Sequence, residues 1–251
     1  MKWNTLIGGW LAAACLVAVL GACVSAQEAP AANPDDPAAN LDKPKETPPE
    51  AEAPPRFVRL GKVRAYVQEK RVEIDGAILL EPGVMIEVLA CTPSGKIHET
   101  VMTCDAVPSH VHAALLLIGM KRGKPVDFQG ENMTPTGDPV KVTVRWKEGD
   151  HERTVRAEDL LKNVKANKPM AHQYWVFCGS VEDPQNEDTP YLADLAGNII
   201  TTYHDSATVI DNPSEGGADD DLLSINGDVC PPPGTPITLI LEPAPKPEPE
   251  K

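Results

Sequence analysis

Apolar and polar residues alternate with a period of two along most of residues 57–243, the signature of strands with one buried face. Val58 to Tyr66 and Val72 to Leu80 follow this pattern, the second crossing a bend or bulge at Asp75-Gly76. Val84 to Ala90 is mostly apolar, and Ile97 to Met102 reads as its hairpin partner around Thr92-Pro93-Ser94-Gly95. Val140 to Trp146 alternates most cleanly, and Glu148-Gly149-Asp150 turns it back into Arg153 to Arg156. Gln173 to Phe177 predicts an aromatic strand. Tyr191 to Asp194, a Gly197-Asn198 turn and Ile199 to Tyr203 predict a further hairpin, and Ala207 to Ile210 and Ile237 to Leu241 complete the set.

Two stretches break the alternation. Pro108 to Gly119 has proline near its start, good helix formers inside and glycine at its end. It is apolar nearly all round, so it is predicted to be a helix buried against the sheet. Ala157-Glu158-Asp159-Leu160-Leu161 starts a shorter amphipathic pattern. Gly123 to Pro139 is punctuated by Gly, Pro and Asn and predicts loop. The sum is an α+β fold: a largely antiparallel β-sheet with one buried helix (about 108–119) and a short second helix (about 157–163).

The N-terminus has a different logic. Leu6 to Leu20 is an uncharged apolar run of 15 residues behind Lys2. A membrane-spanning helix needs about 20, so residues 1–22 predict a cleaved signal peptide. The run ends in Leu20-Gly21-Ala22-Cys23, an aliphatic residue, two small residues and cysteine, which is the pattern of a bacterial lipobox. Cys23 is therefore the expected lipidation site and new N-terminus, while Cys15 leaves with the leader. At ~0.8 kcal/mol per buried methylene, two or three acyl chains hold a protein on a membrane stably. The expected location is extracytoplasmic and lipid-anchored, and Val24 rather than Asp after the cysteine points to the outer membrane in a double-membrane host.

Val24 to Arg56 holds eight of the 26 prolines and almost nothing apolar. Residues 23–56 thus read as the lipidated cysteine and a disordered linker, whose extended reach is on the order of 100 Å. Residues 244–251 repeat that composition as a tail, which leaves 57–243 for one globular domain. The formal net charge is −14 and no Lys/Arg cluster stands out, which argues against nucleic acid as a partner. The expected partners are the membrane, through the lipid on Cys23, and another component of the cell envelope.

Four cysteines remain in the mature domain: Cys91, Cys104, Cys178 and Cys230. In an oxidising compartment an even count suggests disulfides. In the hairpin register Cys104 lies about 26 Å along the strand from Cys91 at ~3.3 Å per residue, too far to bridge. Pairing each of these two with Cys178 or Cys230, and four free thiols, both remain open.

His98, Glu99, His110 and His112 are the densest set of potential zinc ligands. Their spacing is not that of a metalloprotease helix, since Met102 stands where the second histidine would fall. Glu182-Asp183, Glu187-Asp188, Asp211 and Asp219-Asp220-Asp221 could supply oxygen ligands to calcium, but no D-x-D-x-D-G pattern occurs and solvated loops are the expectation. Cys178-Gly179-Ser180 lacks the surrounding glycines of a nucleophile elbow. Trp146 and Trp175 fall in predicted strands and read as core.

The run from Cys91 to His98-Glu99, followed by His112 to Gly119, resembles the YdjY-like domain family. So do Trp175 to Gly179-Ser180, Ala193-Asp194 with Gly197, and the closing Gly234-Thr235-Pro236-Ile237-Thr238-Leu239. The resemblance covers about residues 57–243 and implies no assigned activity. Some relatives carry a ferredoxin-like label, which implies a [4Fe-4S] cluster held by closely spaced cysteines. The mature cysteines here are separated by 12 residues or more, without a C-x-x-C-x-x-C run, so an iron-sulfur cluster is not carried over. The recurrence of His98-Glu99 in the family pattern keeps a metal site under consideration.

The expectation is a non-enzymatic surface lipoprotein without a cofactor, a domain that binds or scaffolds another envelope component. One alternative is a zinc-dependent hydrolase or metal-binding domain using His98, His110 and His112, with Glu99 as base. The other is a redox domain using its cysteines.

Overall fold

The computed structural model describes residues 56–245, except 187 and 189. The predicted leader, Cys23, nearly all of the linker and most of the tail lie outside the described residues. In chain order the elements are β1 (Val58–Leu60), β2 (Val63–Tyr66), β3 (Arg71–Ile78), β4 (Val88–Cys91), β5 (Thr100–Cys104) and helix α1 (Pro108–Leu117). Then come β6 (Asp138–Glu148), β7 (His151–Arg156), β8 (Leu161–Asn163), β9 (Lys168–Pro169) and β10 (Trp175–Phe177). Helix α2 (Leu192–Ala196), β11 (Asn198–Thr201), β12 (Thr208–Ile210), β13 (Leu223–Ile225) and β14 (Pro236–Pro243) complete the chain.

The main sheet runs β10-β6-β14-β3-β5-β4-β11-β12, with β7 added beside β6 and the β1–β2 hairpin beside β3. Among the described strands only the pairs β4–β5 and β11–β12 are parallel. The two ends of the path meet: Val176 and Asp211 exchange both backbone hydrogen bonds at 3.0 Å, so the sheet curls into a ring. A small sheet, β13-β8-β9, stands beside it.

Register explains which side chains fill the ring. Ile74, Leu239 and Val144 lie side by side on β3, β14 and β6, as do Val72, Leu241 and Val142, and all six are buried. The intervening row points outward, because consecutive strand residues face opposite ways. On that outer surface Glu73 sits 3.0 Å from Arg71 and 3.5 Å from Arg145, and Arg64 clasps Asp75 with two bonds of 2.5 and 2.7 Å.

Helix α1 begins on Pro108, whose fixed φ suits the first helical position. It ends at Gly119, φ 92°, where Met120 N donates to Leu115 O at 3.1 Å. This is the left-handed glycine cap expected of such an ending. Val111, Ala114, Leu115 and Ile118 point inward, and the helix packs against β1, β2 and β3 on one side and β11 and β12 on the other. The α+β fold, the largely antiparallel sheet, the buried helix and the core positions of Trp146 and Trp175 are as the sequence predicts.

Three local expectations are corrected. β4 and β5 are not a hairpin but a parallel pair with Cys91 opposite Thr103. The Thr92–Gly95 turn does form, Gly95 N donating to Thr92 O at 3.0 Å. Its outgoing chain runs back through a 3-10 turn, Ile97–Glu99, because β3 takes β5 as an antiparallel partner. The segment predicted as a short second helix is a 3-10 turn, Ala157–Leu160, that passes directly into β8. Tyr191 to Asp194 is not a strand: it leads into α2, which Gly197 terminates at φ 74°.

Candidate functional site

The most unusual feature of the interior is a polar cluster at the ring seam, on β11, β12 and the loop between them. Asn198, Thr201, Asp205, Asp211 and Asn212 are all buried. Asp211 closes the seam with its backbone, and its carboxylate accepts Thr201 Oγ1 at 2.9 Å, Asn212 N at 2.8 Å and Asp205 N at 3.3 Å. Burial pushes its carboxyl up to about 8 against the pull of these donors. Asp205 is also raised by burial; it accepts Ala207 N and Asn198 Nδ2. Asn198 Oδ1 is buried without a hydrogen-bond partner among the described residues.

His204 ties this cluster to the 127–133 loop. Its ring nitrogens lie 2.9 Å from the carbonyl oxygens of Glu131 and Asn212, and its own carbonyl accepts Gly130 N at 2.8 Å. Since carbonyls only accept, a neutral ring serves one of the two at a time. Asn212 continues the network outward. Its Nδ2 donates to Thr202 O, and its Oδ1 accepts Gln173 Nε2 at 2.7 Å and Ser214 Oγ at 2.8 Å.

Glu158 buttresses Gln173 from behind. Fully buried, it accepts Arg156 Nη2 at 2.7 Å, Arg156 Nε at 3.2 Å, Trp175 Nε1 at 3.2 Å and Gln173 N at 3.3 Å. A buried carboxylate is tolerable only when its lone pairs are filled in this way.

Gln173, Asn212 and Ser214 form the polar floor of a cleft of about 540 Å³ between the small sheet and residues 212–223. Met170 and Leu222 supply apolar walls, and Lys168 is the one basic group lining it among the described residues. None of the described lining residues is acidic, although the chain has 37 Asp and Glu. An ion pair between Lys165 and Asp219 joins the two sides nearby. A volume of this size suits a small molecule or a short polymer segment.

The histidines proposed as zinc ligands have separate surroundings. His98 lies exposed in the 3-10 turn before β5, 3.6 Å from Glu99. His110 lines a smaller cleft of about 280 Å³ at the start of α1, its Nδ1 buried against Gly61 without a hydrogen-bond partner among the described residues. His112 packs edge-on against Phe177 and bonds Tyr191 Oη through Nδ1 at 2.7 Å. Tyr191 Oη also accepts Ser180 N at 3.3 Å. Burial first, then the Arg122 charge, lowers the His112 pKa. Among the described residues no three His, Cys, Asp or Glu converge as a metal would require.

Cys91, Cys104, Cys178 and Cys230 are all free and buried. Cys91 and Cys104 are on adjacent strands, but Cys91 is level with Thr103, so Cys104 faces the opposite way. Distance along the predicted hairpin is therefore the wrong reason for leaving this pair unbridged; the pleat is the right one. Cys178 Sγ lies 3.5 Å from Val209 O, its hydrogen-bond acceptor. Burial raises all four thiols, Cys230 to about 11. Such cysteines do not fit an iron-sulfur cluster, which needs convergent thiolates. Ser180 Oγ is likewise an internal strut, accepting Ala193 N and donating to the Val181 or Ser206 carbonyl. Asp211, expected in a solvated acidic loop, belongs to the interior instead.

The fold and these sites define an α+β ring-sheet domain with a helical cap. The YdjY domain family matches residues 62–242, and the chain belongs to that family. No curated protein and no solved structure matches it.

Proposed function

We propose that this chain is an extracytoplasmic lipoprotein, tethered through acylated Cys23, whose YdjY domain is a non-enzymatic binding module of the cell envelope. The observation that carries the binding reading is the cleft over Gln173, Asn212 and Ser214, whose described lining residues include no acid. Its floor is held rigid by bonds reaching back to Glu158, Asp211 and His204, so a ligand would meet a preformed surface. Neutral polar groups beside Met170 and Leu222, with Lys168 near, suit an uncharged or anionic envelope component carrying hydrogen-bonding groups. The lipobox supports the tether.

Photo-crosslinking in cells tests the binding reading. A photoreactive residue replacing Ala171, in the cleft, should capture one discrete envelope component. The same probe replacing Lys147, on the outer strands, should not. Equal capture at both positions, or none at Ala171, would overturn it. The tether is tested on its own by the mass of the N-terminal peptide from membranes, which should begin at Cys23 with acyl chains attached.

A further inference from the structure

We propose that the outward face of the helical cap, Ala113, Leu116 and Leu117 of α1 with Leu195 of α2, rests on the lipid surface to which the chain is tethered. The proposal builds on the acylation reading above. Helix α1 turns Val111, Ala114 and Leu115 into the core, and Ala113, Leu116 and Leu117 fall on the opposite side of the helix. Leu116 is 47% exposed, Leu117 43% and Leu195 64%.

The outer side of a surface helix is normally where charge is placed. Here Pro108 to Leu117 contains no charged residue, in a chain whose net charge is −14. The core already has its share of this helix, so the outward leucines are not explained by folding. Helix α2 lies beside its first turns, since Asp194 bonds Ser109 N and Tyr191 bonds His112, and its exposed Leu195 adds a further apolar side chain to the cap.

Size and tethering choose the occupant. A stable pair of protein surfaces buries roughly 800 Å² on each side. Four aliphatic side chains on one ten-residue helix and its short neighbour fall well below that, so a second copy would not be held. A membrane needs far less, because a tether makes the second contact intramolecular, at an effective concentration on the order of millimolar. Lys121, exposed three residues beyond Ile118, supplies a cation toward lipid phosphates, while Arg122 is already paired with Glu182.

The test uses the mature chain from Val24 onward, tethered by an N-terminal histidine tag to phosphatidylcholine–phosphatidylglycerol vesicles containing a nickel-chelating lipid. A polarity-sensitive dye is attached through Leu117→Cys, or through Lys147→Cys as the control. The Leu117 dye should shift to the blue and be quenched several-fold by a lipid-borne quencher, and the control should not. Adding Leu116→Glu should abolish the difference. The proposal is overturned if the Leu117 dye stays water-like on the vesicles. It is equally overturned if the blue shift appears without vesicles and grows with protein concentration, which would mean a second copy covers the face. Because the tag replaces the native lipid, absence of acylation on Cys23 and absence of docking are read separately.

Discussion

Asp194 Oδ1 accepts the backbone N–H of Ser109 at 2.7 Å, so the first turn of α1 is capped by a carboxylate from α2. The residue at the N-cap of α1 is Val107, which has no side-chain oxygen to offer. Helix starts leave unpaired N–H groups that such an oxygen satisfies. Replacing Asp194 with Ala should destabilise the domain by about 1 kcal/mol, and Asp194→Asn should retain most of that. Urea unfolding of the two variants checks this; equal midpoints for both and the wild type would remove the cap from the account.

Asp211 makes the domain sensitive to alkali. Its carboxyl titrates near 3.8 when unfolded and about 8 when folded, so the folded state holds the proton more tightly. The stability this contributes is complete below about pH 4 and is lost as pH rises through about 8. The full swing is on the order of a few kcal/mol. Asp211→Asn, which keeps an oxygen for Thr201, should flatten that slope between pH 5 and 9 in urea titrations. Parallel slopes for variant and wild type would count against the assignment.

Glu158 should rank among the most costly side chains to remove. Glu158→Ala leaves the Arg156 guanidinium and the Trp175 N–H without their partner. Loss of one half of a buried ion pair typically costs about 3 kcal/mol. Glu148→Ala, which breaks an exposed pair with Arg153, should cost less than about 1 kcal/mol. Thermal melts would rank the two, and a Glu158 variant as stable as the Glu148 variant would contradict the network.

The buried cysteines should be silent toward reagents. With Cys91, Cys104, Cys178 and Cys230 covered and their thiols raised by burial, iodoacetamide at pH 8 should label none of them in the native mature chain and all four in urea. Rapid native labelling of any one would revive a redox role for it.

The sequence makes the sheet legible because its strands alternate over a ring with one wet and one dry side. Val140, Val142, Val144 and Trp146 announce their face without outside help. Pairing is less legible. Nothing in Thr92-Pro93-Ser94-Gly95 reveals that β5 will pair with β3 on its other side, so a genuine turn suggested a false hairpin. Tyr191 to Asp194 failed differently: α2 is a single short turn whose start relies on contacts with α1. The polar seam was the hardest to read. His204, Asp205, Asp211 and Asn212 have loop composition, and only the flanking pairs Ile199-Ile200 and Val209-Ile210 hint that they are buried. Gln173 and Glu158 became important through tertiary hydrogen bonds that no local pattern records.

β14 is the last of the described strands, yet it lies between β3 and β6, joining the early strands to the middle ones. Without residues 236–243 those two halves lose their strand-to-strand link on this side, and backbone pairing joins them across the seam, where Val176 meets Asp211 and Gly179 N donates to Val209 O. The ring therefore cannot close before β14 has been made. A chain truncated after Gly234 should remain open to protease along its whole length. The strand that locks the ring is therefore the one whose arrival turns two open half-sheets into a closed domain.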